Sequence, residues 1–162
     1  IPIVGIQNTM ATFAGQNMGA RQPERVSKGL GQGVLVSLFM TAALCVCQLL
    51  GMELIIRAFK LDAAAAAICR QHLFASVLSE PIFAIYFPAN GMFQGVGEGF
   101  HATFYALMAL GLRVVFAYSL YRTAFFGYTA IWWSQAMAWS LTLITCYAHF
   151  FRGKWKEKSL VS

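Results

Sequence analysis

Charged residues in this chain are clustered, and the stretches between the clusters are apolar runs long enough to cross a lipid bilayer. A helix needs about 20 mostly apolar residues to span the hydrocarbon core. The residue balance agrees with that reading: 59% of the chain is hydrophobic and 11% is charged, whereas soluble domains carry about a quarter charged residues. A soluble bundle of this composition would lack the polar side chains needed to cover its surface. The expected fold class is therefore all-α, a polytopic membrane protein with about five transmembrane helices.

Gly, Pro and charge punctuation divide the chain into spans of about 2–19, 30–57, 66–94, 101–121 and 128–151, followed by a basic tail, 152–162. The first span stops at Gly19-Ala20, before the charged turn Arg21-Gln22-Pro23-Glu24-Arg25, where Gly and Pro break the helix. The second begins with Gly29, Gly31 and Gly33, small residues that permit close helix approach. The third holds Pro81 and Pro88 and ends in Gly95-Val96-Gly97-Glu98-Gly99. Arg122 and Gly127 mark the last connection.

The net charge of +6 is topological. Alternating the loops puts seven Lys or Arg on one side (Arg21, Arg25, Lys28, Arg152, Lys154, Lys156, Lys158) and four on the other (Arg57, Lys60, Arg70, Arg122). The positive-inside rule then predicts a cytoplasmic C-terminus in the cell (inner) membrane. Residue 1 falls outside, so at least one upstream crossing is expected, and the opening Ile1-Pro2-Ile3 reads as part of a larger protein. A nucleic-acid patch would need a soluble platform, which the chain lacks, so no nucleic-acid partner is expected. Trp132 and Trp133 near one end of the last span, and Tyr147 and Trp155 near the other, suit interfacial belts.

Glu80 lies well inside the third span. An ionised carboxylate there is costly unless paired, hydrated or protonated, so Glu80 is the candidate for binding a proton or metal cation. Pro81 and Pro88 leave the carbonyls of Val77 and Ala84 without their helical donors, and a broken helix beside an acid is a feature of transporter midplanes. At about 100° per residue, Ser76, Glu80, Ala84, Phe87 and Gly91 share one face, a mixed surface suited to an organic cation. The alternative is a structural Glu80 that pairs with Arg113 or caps freed backbone groups. On the first span Thr9, Thr12 and Gln16 share a face that either lines an aqueous cavity or bonds neighbouring helices. Ser134 and Gln135 in the last span give a weaker version of the same signal. Cys45, Cys47, Cys69 and Cys146 suggest neither a disulfide framework nor a zinc site. His72, His101 and His149 are far apart and show no ligand spacing, so no metal site and no cofactor are expected. No nucleophile elbow, paired carboxylates or dinucleotide fingerprint points to an enzyme.

Four segments carry a resemblance. Gln16-Asn17-Met18-Gly19-Ala20-Arg21-Gln22-Pro23-Glu24-Arg25, after an apolar span, resembles the cytoplasmic-loop signature of the multidrug and toxic compound extrusion (MATE) family. Gly91-Met92-Phe93-Gln94-Gly95-Val96-Gly97-Glu98 resembles the family's Gly-x-x-x-Gly-x-Gly helix ending. Leu112-Arg113-Val114-Val115-Phe116-Ala117-Tyr118 is similar to its next helix, and Gly127 through Trp132-Trp133, with the ending Gly153-Lys154-Trp155, to its final helix and tail.

The resemblance implies the eighth to twelfth of twelve helices, most of one six-helix lobe, with the N-terminal lobe of the same protein as partner. It also implies an antiporter that exports organic cations or drugs in exchange for sodium ions or protons. Some members carry a coupling acid in the helix that holds Glu80; spacing from Gly91 puts that acid's position nearer Phe83. The alternatives are a flippase of lipid-linked oligosaccharides from the same superfamily, favoured by a cavity richer in Arg, and a non-transporting membrane scaffold.

Overall fold

A computed structural model describes residues 2–123 and 126–157. Five helices follow one another: α1 (Pro2–Gly19), α2 (Pro23–Ala58), α3 (Ala63–Gly95), α4 (Gly99–Tyr121) and α5 (Ala130–Arg152). A 3-10 turn at Gly127–Thr129 leads into α5 and another, Lys154–Glu157, follows it. Among the described residues there is no strand. By length and composition α2, α3 and α4 are each able to cross a membrane.

The helix starts show how local chemistry sets these limits. Pro23, expected to break a helix, instead starts one: it occupies the first turn of α2, where its missing N–H would have no partner in any case. α2 therefore begins seven residues before the expected 30, and Gly29, Gly31 and Gly33 lie inside it. Asp62 caps α3, its side chain accepting the Ala65 N–H at 2.7 Å, so α3 starts at Ala63 rather than 66. α4 starts at Gly99 rather than 101. α5 starts at Ala130 rather than 128, behind the 3-10 turn. It ends at Gly153, whose φ of 72° is the left-handed cap that glycine adopts without strain.

The expected break in the third span does not occur. α3 is one helix from Ala63 to Gly95, with both Pro81 and Pro88 inside it. Each proline removes one ladder bond, and neighbouring helices can hold such a segment straight enough to stay helical. Pro88 is fully buried, and a Cβ at Gly33 of α2 would lie 3.9 Å from its ring, so α2 packs directly over it.

α3 is the centre of the bundle and packs against α1, α2, α4 and α5. The interior is built of small residues: Ala14, Ala84, Ala89, Ala109 and Ala138 are fully buried, together with Ser37, Ser134 and Thr142. Large apolar residues face outward instead, among them Leu35, Phe39 and Leu54 on α2 and Leu107, Val115 and Tyr118 on α4. Water would not tolerate such a surface. In lipid, association comes from close packing of small residues, and this distribution is the stable one. The closest approach joins α1 and α3: a Cβ on Gly91 would run into the Gln7 backbone, and one on Gly95 into the Ala11 carbonyl. The chain is a multi-pass helical membrane protein.

The described part of the basic tail is packed. Trp155 is fully buried; its Nε1 donates to the Phe150 carbonyl at 3.0 Å and its ring stacks on Phe150. Lys156 reaches Glu24 at 2.9 Å, tying the tail to the start of α2. A belt role for Trp155 is thereby replaced by packing. Residues 158–162, part of the expected tail, lie outside the described residues.

Candidate functional site

Glu80 opens into a cleft of about 460 Å³ between α1, α2, α3 and α5. Ile3, Val4, Leu44, Phe83 and Phe87 form its apolar walls, and Thr41, Gln48, Ser76 and Gln135 supply polar edges. Phe83 and Phe87 are held by Trp139 of α5, which lies edge-on to Phe83 at 5.2 Å and stacks on Phe87 at 6.0 Å between ring centroids. An apolar pocket of this size with few convergent polar groups is the usual form of a small-molecule site.

The carboxylate has two neutral donors, both on α2. Gln48 Nε2 donates to Oε1 at 2.6 Å and the Cys45 thiol lies 3.1 Å from Oε2. Cys45 Sγ is also 4.0 Å from the Val77 carbonyl, the group that Pro81 deprives of its helical donor. Glu80 is only partly buried and forms no ion pair among the described residues. Neutral donors hold and orient a carboxylate without cancelling its charge, which leaves attraction for a cation entering the cleft.

Of the residues singled out by sequence, Ser76, Glu80, Phe83, Phe87 and Gln135 meet in this cleft, while Ser134 is fully buried and does not line it. Ala84, on the same helix, is fully buried behind it. Arg113 does not pair with Glu80; it sits in a neighbouring small pocket with His72, Ser79 and Trp132, which shares Ser76 and Gln135 with the cleft. Thr9 and Thr12 return their hydroxyls to their own helix, donating to the Gly5 and Asn8 carbonyls. Gln16 is exposed, and neither it nor Thr12 lines the Glu80 cleft. Thr9 instead lines a separate groove between α1 and α2, beside Met10, Phe13 and Gln32.

Sequence reasoning missed Gln48, Thr41 and Asn90. Gln48 and Thr41 are single uncharged residues within an apolar run, and only packing shows that they face Glu80's cleft. Asn90 is 4% exposed and joins three helices. Its Oδ1 accepts from Gln7 of α1 at 3.0 Å and Gln94 at 2.7 Å; its Nδ2 donates to Tyr86 at 2.8 Å and the Ala102 carbonyl of α4 at 2.9 Å. An uncharged polar residue one position before Gly91 was the available signal. The fold also brings His101 and His149, 48 positions apart, to a ring-centroid distance of 4.6 Å, which no ligand spacing announces.

The MatE family model matches residues 1–119. A solved structure described as the outward-facing conformation of a multidrug resistance MATE family transporter of the MOP superfamily superposes with a TM-score of 0.81, at 16% sequence identity over 92% of this chain. At that identity the likeness speaks for the fold. The chain spans 33% of that transporter's length. No curated protein matches. The Gly91 and Gly95 contact with α1 lies within the 119 residues that the family model covers, and the chain belongs to the MatE family.

Proposed function

We propose that this chain is part of a secondary active antiporter that exports organic cations, drugs among them, in exchange for sodium ions or protons. The observation that carries the reading is Glu80: a carboxylate at an apolar, aromatic-walled cleft, held by Gln48 and Cys45 and paired with no cationic side chain among the described residues. A cation bound there would gain both charge attraction and contact with the Phe83 and Phe87 faces. A proton or sodium ion competing for the same carboxylate couples the two fluxes, because each ligand lowers the site's affinity for the other. In this reading the protein transports and does not catalyse, and it needs no cofactor beyond the coupling ion.

The C-terminus is proposed to be cytoplasmic in a cell membrane, with the 20–22 turn, the 96–98 turn and the tail on that side. The Lys156–Glu24 ion pair supports placing tail and first turn together. The N-terminal lobe of the same protein is proposed as the facing wall of the substrate path.

The test is uptake of a fluorescent organic cation by everted vesicles containing the complete parent protein, driven by a sodium or proton gradient, with Glu80→Gln at equal expression. The expected result is gradient-driven uptake that the mutant loses. Uptake surviving the substitution would remove Glu80 from coupling. An intact protein that moves no cation under either gradient would overturn the antiporter reading and favour a lipid-linked oligosaccharide flippase.

A further inference from the structure

A second cluster lies beyond the far end of α3, more than about 20 Å along the helix axis from Glu80. Glu98 occupies the N-cap position of α4, yet its side chain makes no capping hydrogen bond. The residue is 7% exposed, and its Oε2 has no hydrogen-bond partner among the described residues. That oxygen points at two imidazoles: His149 Nε2 of α5 at 3.2 Å, near but out of hydrogen-bonding line, and His101 Nδ1 of α4 at 3.7 Å. The three atoms lie within 4.8 Å of one another. They line a cleft of about 500 Å³ that also holds Tyr105, Arg152 and Lys154.

A buried carboxylate oxygen without a donor is costly, and the fold has packed it rather than turned it to water or to its own helix end. A cation bound by all three groups removes the cost. Tetrahedral zinc with ligand bonds of about 2.0–2.1 Å sets its ligand atoms roughly 3.3 Å apart. Oε2 lies 3.2 and 3.7 Å from the two nitrogens, close to that spacing. The nitrogens lie within 4.8 Å of each other, so a small inward turn of the half-exposed His101 ring completes the set. The lone pair of a metal-bound imidazole points at the ion and not at the next ligand, so the poor Nε2–Oε2 alignment suits a shared ion.

The His149 ring is already positioned. Its Nδ1 is 2.7 Å from the Tyr105 hydroxyl, and its face stacks on the fully buried Phe93 at 4.8 Å and 12°. With Nδ1 as donor to Tyr105, Nε2 keeps its lone pair for the ion, the usual outer arrangement of a ligating histidine. We infer that Glu98, His101 and His149 form a binding site for a divalent transition metal of the zinc type, clamping the start of α4 to the end of α5. Two imidazoles and one carboxylate favour such an ion over magnesium or calcium, which take oxygen ligands. Arg152 and Lys154 in the same cleft oppose a bare cation; the Glu98 charge offsets part of this, and the open coordination position is suited to water or a small anion.

The test uses the purified complete parent protein, with its affinity tag removed, in detergent micelles near neutral pH. Zn²⁺ binding is followed by calorimetry and Co²⁺ binding by the visible bands of tetrahedral cobalt. The expected result is one high-affinity site per chain, weakened at least about 100-fold in His149→Ala and His101→Ala. The His101 side chain is 46% exposed, so its truncation leaves the fold intact even where loss of His149 does not. A wild-type protein that binds neither ion at micromolar concentration, or binding unchanged in His101→Ala, would overturn the site.

Discussion

Replacing Gly95 by Ala tests whether the α1–α3 contact is set by backbone approach. A Cβ there would lie 2.8 Å from the Ala14 Cβ and closer still to the Ala11 carbonyl oxygen, where 3.4 Å begins ordinary contact. Neither neighbour can rotate away: one is backbone and the other a single bond from it. The Ala14 contact alone requires α1 to retreat by 3.4 − 2.8 = 0.6 Å, and the closer Ala11 carbonyl requires more. The same retreat strains the 3.0 Å Gln7–Asn90 hydrogen bond. Adding a methyl group to a packed interior costs about 1–3 kcal/mol, and a rigid backbone neighbour puts Gly95 at the upper end. Gly95 is the last residue of α3, so better helix propensity returns at most about 1 kcal/mol. The net expectation is a loss of about 2 kcal/mol. Reversible unfolding of the parent protein in mixed detergent–SDS micelles measures it. Gly111→Ala is the control, because a Cβ there meets nothing within 4 Å. If Gly95→Ala unfolds no more readily than Gly111→Ala, the close-approach reasoning fails.

Two further outcomes are expected. Asn90→Leu strands the buried Tyr86 hydroxyl and Ala102 carbonyl and the half-buried Gln7 amide at once, and should cost about 3 kcal/mol in the same unfolding assay; a loss under about 0.5 kcal/mol would show that Asn90 is not a structural hub. Cys45, beside Glu80 in the cleft region, should react more slowly with a maleimide when an organic cation is bound; an unchanged rate would place the ligand elsewhere.

Several features were legible before any contact was known. Helix content, the five-helix order and the membrane setting follow from apolar runs and their punctuation, since lipid imposes helix length on each crossing. Glu80 was legible for the same reason, because a lone acid in such a run is conspicuous. Helix starts were less so: Pro both ends and begins helices, and at Pro23 only the packed chain distinguishes the two. The same ambiguity made Pro81 and Pro88 look like breaks, whereas α3 remains continuous.

Sequence alone therefore determined the elements and the one acid within the third of them, because burying charge and backbone in lipid is a strong, local, one-dimensional constraint. Tertiary structure decided everything that depends on which faces meet. It gave Glu80 the donors Gln48 and Cys45 rather than Arg113. It turned Thr9 and Thr12 onto their own helix and made Asn90 a junction of three helices. It also assembled Glu98, His101 and His149 from two helices. The threonine bonds are local, four residues back along one helix; for the cross-helix pairs, partners lie dozens of residues apart, and helical rotation and crossing geometry, which leave no local signature, bring them together.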